Sequence, residues 1–506
     1  MKFQTKKSSV KQASQTILDH WQVDHQDPYR PGYHPIAPHG WINDPNGLVF
    51  ADGWYHVFYQ WNPYGNTWGN MHWGHMRSRD LHQWEHLPVA LAPDQAYDRD
   101  GCFSGSAVNH GGDLVLFYTA NVFEAGDHPY NAGPLATQTQ ALAISRDGGI
   151  HFDKLEANPV IGDPPTGGTP VDFRDPKVHE VDNHYLMVLG SRQGKRGEVV
   201  TYRTANKTDL TQWTYLDQMV LAPEDLGYMW ECPDLLELGD KQVLLVSPMG
   251  AAAYDGRNVT GYLVDGVFCL MDQLPRVYAP QTFSGLDYGL LLGWLTMPDL
   301  DVANHQWNGC LTLPRKLDLS SDNHLVARPV LPETAYGQDR FVKEDLLFEG
   351  DQTVKLAGDS VHLHLILDPD QAGQVVVKLK ASEDGKHYTN LVMDLDKASL
   401  HLDTHQAYGK APKGGYQQAS FTYEDLQDLE LVDLDIYIDK SVVEIYALGG
   451  RCVFTTTIFS DPNNDKIHVS CISRGSVTLR TLRLRQVKPS IHGLHPSLLE
   501  MEASSE

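Results

Sequence analysis

Short runs of hydrophobic residues, separated by Gly, Asp and Asn, recur along the first two-thirds of the chain. The clearest runs read WYHVFY, LVLFY, YLMVL and VLLV, at residues 54–59, 114–118, 185–189 and 243–246. Runs of this length and composition are typical of β-strands. A helical spacing of apolar positions is confined to residues 10–21 and to the acidic C-terminal end. The pattern therefore predicts an all-β protein.

Five short loop motifs, each followed by an apolar run, mark an internal repeat. They are NDP, FSG, RDP, ECP and TFSG, which begin at residues 43, 103, 174, 231 and 282. A second marker, a polar turn shortly before an aromatic residue, recurs out of phase at 78–84, 145–152 and 208–213. Repeats of this kind are typical of propeller blades, and five starts predict five blades. Unrelated hairpins in a large sandwich are the alternative.

The pattern changes after about residue 335. Trp307 is the last tryptophan, and strictly alternating runs follow, for example at 361–367, 374–379, 432–437 and 442–446. Alternation of this kind predicts an antiparallel β-sandwich. The predicted organisation is a partly helical extension (1–30), a five-bladed β-propeller (31–335), a C-terminal β-sandwich (345–490) and an acidic tail (491–506). We expect the end of this tail, residues 498–506, to be frayed.

The charge balance excludes several classes of partner. Lys and Arg number 40 and Asp and Glu 65, so the net charge of the 506-residue chain is −25. Such a chain repels nucleic acid and anionic membrane surfaces. Its six cysteines are scattered without a CxxC pair, and the N-terminal sequence lacks an apolar segment. We therefore expect a reduced, cytoplasmic protein that binds neither nucleic acid nor membranes.

Three acidic residues stand near the start of the repeats: Asp44, Asp175 and Glu231. We expect them to hold equivalent places on different blades and so to converge at one end of the propeller axis. A cluster of carboxylates suits glycoside hydrolysis, in which one ionised carboxylate attacks and a second carboxyl protonates the leaving oxygen. Arg174 is the expected counter-charge. Taken singly, each acid is equally compatible with a turn.

Aromatic and amide side chains are concentrated in the same region. Trp41, Trp54, Trp61, Trp68 and Trp73 lie within 33 residues, interspersed with amides and histidines. Such a mixture fits a carbohydrate site, because apolar sugar faces stack on aromatic rings and hydroxyl groups need polar partners. Core packing is the alternative for any single tryptophan.

These residues resemble those of glycoside hydrolase family 32, which includes invertases, fructanases and sucrose-6-phosphate hydrolases. The segment WINDPNG at 41–47 looks like the family signature, and RDP at 174–176 and ECP at 231–233 look like its two later motifs. The segment IYIDKSVVEI at 436–445 is similar to the family's C-terminal module. The resemblance covers roughly residues 25–485.

The resemblance implies a propeller followed by a β-sandwich, with Asp44 as nucleophile, Glu231 as general acid/base and Asp175 as transition-state stabiliser. It implies no metal ion and no organic cofactor. The residues implied for the fructosyl subsite are Trp41, Asn43, Gln60, Trp68, Phe103, Ser104, Arg174, Tyr278 and Trp294. The chain departs from the family pattern at Asn70, Lys316 and Trp61, none of which is a predicted carboxylate.

The expected activity is that of a retaining β-fructofuranosidase acting on sucrose or sucrose 6-phosphate. Alternatives are hydrolysis of short fructooligosaccharides, fructosyl transfer, and a non-catalytic fructan-binding propeller; a homo-oligomer is left open. Two other patterns have structural interpretations that we prefer. His362 and His364 alternate in a strand, which favours strand histidines over metal ligands, and the basic loop at 190–197 favours a solvated hairpin tip over a phosphate site.

Overall fold

The computed structural model describes residues 8–21, 27–131, 133–301, 303–350, 352–368, 371–408, 412, 415–423, 431–472, 476–490 and 492–503. Within these ranges the regular structure is almost entirely β-strand. The exceptions are two α-helices, α1 (Val10–His20) and α2 (Pro496–Ala503), and three short 3-10 turns at Ala252–Tyr254, Glu333–Ala335 and Leu448–Gly450.

Five antiparallel sheets follow one another along the first part of the chain, and their central strands occur in chain order. The first sheet contains β1 (Gly40–Ala51), β2 (Trp54–Asn62), β3 (His72–Ser78) and β4 (Trp84–His86). The second contains β5 (Cys102–His110), β6 (Asp113–Asp127), β7 (Pro134–Ser145) and β8 (Asp153–Lys154). The third contains β9 (Phe173–Val181), β10 (His184–Gln193), β11 (Arg196–Thr204) and β12 (Trp213–Leu221). The fourth contains β13 (Met229–Leu238), β14 (Lys241–Met249), β15 (Gly261–Val264) and β16 (Val267–Leu270).

The fifth sheet also provides a link back to the first. Its region comprises β17 (Val277–Thr282), β18 (Leu290–Leu295), β19 (Trp307–Asn308), β20 (Cys310–Leu311), β21 (Arg315–Leu319) and β22 (Leu325–Pro329). Strand β19 lies in this stretch of the chain but belongs to the first sheet, where it pairs in parallel with β1. The Phe50 N–H donates to the carbonyl of Ser284 at 2.8 Å, and the Ser284 N–H donates to the carbonyl of Leu48 at 2.9 Å. Main-chain hydrogen bonds thus join the last sheet to the first.

The five sheets are the blades of a propeller. The first strands, β1, β5, β9, β13 and β17, contact one another in that order, and β17 contacts β1, so that they form a closed ring. The predicted five-bladed propeller is confirmed, and the alternative of unrelated hairpins in one sandwich is wrong. The four clearest apolar runs of the sequence are parts of β2, β6, β10 and β14, the second strands of their blades.

Each inner strand contains a register shift close to its N-terminal end. The shifts lie between Ile42 and Pro45, Phe103 and Gly105, Arg174 and Lys177, Glu231 and Asp234, and Tyr278 and Gln281. Such β-bulges bend a strand and turn its side chains away from the regular alternation. All five inner strands therefore redirect side chains at the same end of the ring.

The bulges correct one expectation about the three acids. In the third, fourth and fifth blades the residue before the proline has a positive φ: 67° at Asp175, 48° at Cys232 and 47° at Ala279. Asp175 thus shares its structural place with Cys232, whereas Glu231 comes one residue earlier and corresponds to Arg174. All three acids thus lie at the bulged ends of their strands, as expected, but Glu231 is offset by one position because it stands two residues before its proline and Asp175 stands directly before its own.

Two six-stranded antiparallel sheets pack face to face after the propeller and enclose an aliphatic core. Their strands are β23 (Tyr336–Glu349), β24 (Gln352–Ala357), β25 (Ser360–Leu367), β26 (Gln374–Ala381), β27 (Thr389–Asp394), β28 (Ser399–Asp403), β29 (Gln418–Thr422), β30 (Val432–Asp439), β31 (Val442–Ala447), β32 (Cys452–Thr457), β33 (Lys466–Ile472) and β34 (Ser476–Val487). The predicted β-sandwich is confirmed. Its first strand begins at Tyr336, earlier than the predicted start of the domain at residue 345.

The C-terminal segment corrects the expectation of a frayed tail. Strand β35 (His492–Leu494) pairs in parallel with β4 of the first blade, and α2 follows it. Leu498 is fully buried in a cluster that also contains Ala13 and Ile17 of α1. These apolar side chains hold both chain ends against the first blade. Residues 1–7, 22–26, 491 and 504–506 of the two terminal segments lie outside the described residues. None of the described helices is long and apolar enough to cross a membrane.

A buried network of charges connects the propeller to the sandwich. His34, which precedes β1, contacts Asp439 through Nδ1 at 2.8 Å and Glu444 through Nε2 at 3.0 Å. Arg315 of β21 donates to Glu444 at 2.6 Å and to Asp272 at 2.9 Å. All five side chains are buried. Because each charge is paired, the desolvation penalty of the network is offset only when the two domains are docked.

We expect the substitution Arg315→Leu to lower the free energy of unfolding by about 3–5 kcal/mol, because it leaves the buried carboxylate of Asp272 without its cation. Urea denaturation followed by tryptophan fluorescence measures the loss. The matched control is Arg480→Leu, which removes exposed ion pairs to Asp345 and Asp368 and should cost about 1 kcal/mol or less. Equal losses in the two variants would contradict a special role for the buried network.

The same network makes stability depend on pH. Burial alone lowers the pKa of His34, but its hydrogen bonds to Asp439 and Glu444 outweigh burial and raise the pKa from 6.5 to about 9. The folded protein therefore holds this proton more tightly than the unfolded chain. The resulting stability, up to about 3 kcal/mol, is complete below pH 6.5 and is lost as the pH rises to about 9. The difference in unfolding free energy between the wild type and His34→Gln should shrink over this interval; a constant difference would rule out His34 as the titrating group.

Candidate active site

A cavity of about 320 Å³ opens at the bulged end of the inner strands. Every residue predicted for the site, with the exception of Trp41, lines it. These residues are Asn43, Asp44, Gln60, Trp68, Phe103, Ser104, Arg174, Asp175, Glu231, Tyr278 and Trp294. They come from all five blades, so the cavity is a product of the closed ring.

Asp44 is oriented by donors from its own blade and the next. The hydroxyl of Ser104 donates to Oδ2 of Asp44 at 2.6 Å, and Nδ2 of Asn43 donates to Oδ1 at 3.1 Å. The indole Nε1–H of Trp41 donates to Oδ1 of Asn43 at 2.7 Å, which fixes the amide in turn. Trp41 thus acts on the cavity through Asn43 without lining it.

Asp175 is brought next to Asp44 by the bulge of the fourth blade. The Cys232 N–H donates to Oδ2 of Asp175 at 3.0 Å, and the Cys232 sulfur lies 3.6 Å from Oδ2 of both aspartates. The Asp175 N–H donates to the hydroxyl of Thr119 at 2.9 Å. The positive φ angles of Asp175 and Cys232 make this close approach possible.

Glu231 has a different set of partners. Its Oε1 accepts hydrogen bonds from Nε and Nη2 of Arg174 at 3.1 and 3.0 Å, and its Oε2 accepts one from the hydroxyl of Tyr278 at 2.6 Å. The same hydroxyl lies 3.0 Å from the carbonyl oxygen of Ser247. One oxygen of Glu231 is therefore held by a fixed cation and the other by a hydroxyl with a second acceptor in reach.

The crowding of acids disfavours their charged forms. Burial, and then the charge of Glu231, raises the pKa of Asp44 from 3.8 to about 6. The pKa of Asp175 is raised as well. Burial and the charges of Glu231 and Asp44 raise it, and together they outweigh the opposing charge of Arg174. Carboxyl groups that interact this strongly share protons, so the cluster retains acidic protons closer to neutral pH than isolated acids do.

Asp172, which the sequence analysis did not identify, anchors Arg174. Its carboxylate accepts from Nη1 of Arg174 at 2.9 Å, from Nε of Arg192 at 2.5 Å, and contacts Nε2 of His128 at 3.0 Å. These partners hold its pKa well below the usual value although burial opposes them. Arg192 belongs to the basic loop at 190–197 and is buried, so the expectation of a solvated hairpin tip is wrong for this residue.

Aromatic rings form the walls of the cavity. The rings of Trp41 and Trp294 meet edge to face with centroids 5.5 Å apart, and Trp68 meets Phe103 in the same way at 6.0 Å. Trp68 is 38% exposed, which leaves one of its faces at the rim. The amide nitrogen of Gln60 donates to Asn46 and to the carbonyl of Cys102, so it supports the wall. The departures at Asn70, Lys316 and Trp61 do not line the cavity.

Other lining residues had no signal in the sequence. They are Met71, Asn121, Phe123, His128, Asn131, Gly133, Pro134, Ala136, Gln138, Val171, Asp172 and Asn258. Many of them lie on or near the β6–β7 hairpin, whose strands extend to Asp127 and from Pro134. Neither the motifs nor the turn markers distinguish this hairpin from those of the other blades.

Comparison with known proteins gives matches over both domains. Residues 34–329 match the description "Glycosyl hydrolases family 32 N-terminal domain", and residues 335–486 match "Glycosyl hydrolases family 32 C terminal". The sequence is 34% identical over 478 residues to the sucrose-6-phosphate hydrolase of Zymomonas mobilis, a match that covers 86% of this chain and 88% of that protein.

Two solved structures are similar over nearly the whole chain. The GH32 β-fructofuranosidase BmSUC1 of Bombyx mori is 31% identical, with a TM-score of 0.78, over 95% of this chain and 98% of that one. The sucrose-6-phosphate hydrolase of Lactobacillus gasseri is 26% identical, with a TM-score of 0.78, over 95% of this chain and 99% of that one.

Proposed function

Because the chain belongs to glycosyl hydrolase family 32, we propose that it is a retaining β-fructofuranosidase that releases fructose from sucrose or sucrose 6-phosphate. The observation that carries the proposal is the meeting of Asp44, Asp175 and Glu231 in one cavity, where each acid has different hydrogen-bond partners. Solved relatives of similar fold include a β-fructofuranosidase mutant in complex with sucrose, which supports this substrate class. The cytoplasmic location stays a prediction from the sequence.

In the proposed first step, the carboxylate of Asp44 attacks the anomeric carbon of the fructosyl unit. Glu231 transfers its proton to the glycosidic oxygen as the bond to that oxygen breaks, so that the glucosyl part leaves as an alcohol and a covalent fructosyl-enzyme forms. In the second step, Glu231 removes a proton from water, the water oxygen attacks the same carbon, and Asp44 is released. The pKa of about 6 at Asp44 allows its ionised form to predominate at neutral pH.

Glu231 has to alternate between acid and base, and the hydroxyl of Tyr278 suits both states. When Glu231 is ionised, this hydroxyl donates to Oε2. When Oε2 carries the proton, the hydroxyl can accept from it and donate instead to the carbonyl oxygen of Ser247, 3.0 Å away. A reorientation of one O–H bond therefore keeps Glu231 hydrogen-bonded through both steps.

Asp175 and the aromatic walls have binding roles in this proposal. Asp175 is held by the main chain of Cys232 and is placed to bind fructosyl hydroxyl groups as positive charge develops on the sugar. The rings of Trp294 and Phe103 offer apolar surfaces against the sugar faces, and Trp41 supports the wall through its edge-to-face contact with Trp294.

A second activity, the removal of terminal fructosyl units from short fructooligosaccharides, is favoured by the shape of the site. The cavity is a pocket at one end of the propeller, and a pocket admits the end of a sugar chain. The exposed ring of Trp68 at the rim offers a surface for a further sugar unit. A purely binding role disagrees with the presence of a complete set of three acids, each with its own partners.

The proposal is tested by measuring kcat/KM side by side on sucrose, sucrose 6-phosphate and a short inulin-type oligosaccharide. We expect free fructose from the disaccharides, and we expect Asp44→Asn to lower kcat by roughly 10³-fold or more, because the nucleophile is lost. The same chemical change at the exposed turn residue, Asp240→Asn, is the matched control and should leave kcat unchanged. An Asp44→Asn enzyme with wild-type turnover would refute the assigned nucleophile.

Asp172→Asn should lower kcat/KM on sucrose by about 10- to 100-fold, because Arg174 is no longer held against Glu231 and small misplacements in an active site have effects of this size. Asp172→Glu, which keeps the charge, should recover part of the loss. Thermal unfolding of both variants separates this effect from a folding defect. Wild-type kinetics in Asp172→Asn would show that Arg174 needs no such anchor.

A further inference from the structure

Three side chains of the sandwich point toward one another on the sheet face that continues into the contact with the propeller. His362 and His364 alternate with buried leucine and valine along β25 and therefore share one face of the sheet. Asp435 of β30 lies directly opposite His364 in the strand register. These three residues lie on the sandwich, outside the residues that line the catalytic cavity.

The donor atoms of these three residues converge. Nε2 of His362 and Nδ1 of His364 lie 2.6 and 2.8 Å from the same carboxylate oxygen, Oδ1 of Asp435. All three donor atoms lie within 4.8 Å of one another. In a tetrahedral zinc site with bonds of about 2.0–2.2 Å, ligand atoms are roughly 3.4 Å apart. Small side-chain movements therefore suffice to accommodate an ion between them.

The imidazole of His362 is already fixed by its surroundings. It stacks on Tyr437 with centroids 4.3 Å apart and an interplanar angle of 5°. The Tyr437 hydroxyl is 2.9 Å from the hydroxyl of Tyr336 on β23. Tyr437 also belongs to a core cluster shared with propeller residues such as Leu313 and Leu317. The ligand set is thus preorganised at the margin of the contact between the two domains.

Two arginines on the neighbouring strand have their own counter-ions. Arg483 and Arg485 of β34 stand opposite His364 and His362 in the register. Arg483 forms an ion pair with Asp339 at 2.8 Å, and Arg485 forms one with Glu333 at 2.5 Å. These acids therefore balance part of the positive charge beside the two histidines. The side chains of His362, His364 and Asp435 are 12%, 26% and 25% exposed, so an ion from solvent can reach them.

The alternation of His362 and His364 alone favours ordinary strand histidines, but their convergence on Asp435 is a feature of the fold that the sequence did not show. We propose that His362, His364 and Asp435 bind a divalent transition-metal ion such as Zn²⁺ or Ni²⁺, with water in the remaining positions. Two imidazoles and one carboxylate suit these ions, whereas Ca²⁺ and Mg²⁺ prefer oxygen ligands alone. The bound ion connects β25 to β30 and so stabilises the sheet that faces the propeller. The inference is independent of the proposed catalytic function, because none of the three residues touches the cavity.

The test is isothermal titration calorimetry of the tag-free full-length protein with ZnCl₂ and NiCl₂. MgCl₂ is the negative control, because Mg²⁺ should not bind. We expect one Zn²⁺ per chain with micromolar affinity, and an increase in Tm with Zn²⁺ because the ion binds only the folded state. His364→Gln and Asp435→Asn should each weaken Zn²⁺ binding at least tenfold and abolish the increase in Tm. If either variant does not fold, His362→Gln replaces it, with the same expected result.

The matched control is His405→Gln. His405 and Asp403 form an exposed histidine–aspartate pair with a contact of 2.5 Å, so this variant tests whether any such pair binds the ion. It should retain wild-type Zn²⁺ affinity. Absence of Zn²⁺ binding to the wild type, or equal affinity in the wild type and the His364 and Asp435 variants, would overturn the proposal. Sucrose hydrolysis by the metal-free protein is measured separately, so a failure of the proposed function does not bear on this result.

Discussion

Main-chain hydrogen bonds between the last and the first blade hold the ring of inner strands closed, and the candidate site depends on that ring. Strand β19 pairs with β1. In addition, the N–H of Ser284 donates to the carbonyl of Leu48, and the carbonyl of Ser284 accepts from the N–H of Phe50. Closure places the start of all five inner strands around one axis. Because each strand has its bulge at this end, residues that are far apart in the sequence meet in a single cavity.

The cavity then has to accommodate several negative charges in a small volume. Asp44 and Asp175 lie at equal distances from the sulfur of Cys232, and Glu231 is held by Arg174. Burial raises the pKa values of both aspartates, and the charges of the neighbouring acids, which one arginine does not balance, raise them further. The same imbalance favours retention of a proton in the cluster, which is what a site with both an acid and an ionised nucleophile needs.

Charge pairing also holds the two domains together. Arg315 of the propeller pairs with one carboxylate from each domain, and His34 of the propeller lies between two carboxylates of the sandwich. Both side chains are fully buried. Since unpaired buried charges are expensive, this network makes one relative placement of propeller and sandwich much more stable than others. Asp172 has the same function on a smaller scale, because it gathers His128, Arg174 and Arg192 from separate loops and strands beside the site.

The all-β class, the five repeats, the sandwich and the three acids could be predicted from the sequence, because strand alternation, turn motifs and short catalytic motifs are local signals. The shared positive φ of Asp175 and Cys232, which brings the main chain of Cys232 against Asp175, could not be predicted, since it follows from where each bulge forms in the pairing of two strands. The docked C-terminal helix, the burial of Arg192 and the role of Asp172 also required the structure. Each depends on partners contributed by distant parts of the chain, as does the convergence of His362 and His364 on Asp435. The residue types and their local spacing were thus determined by the sequence alone, whereas the tertiary structure decided which side chains share a charge, a proton or a cavity, because those pairings exist only once the ring closes and the domains dock.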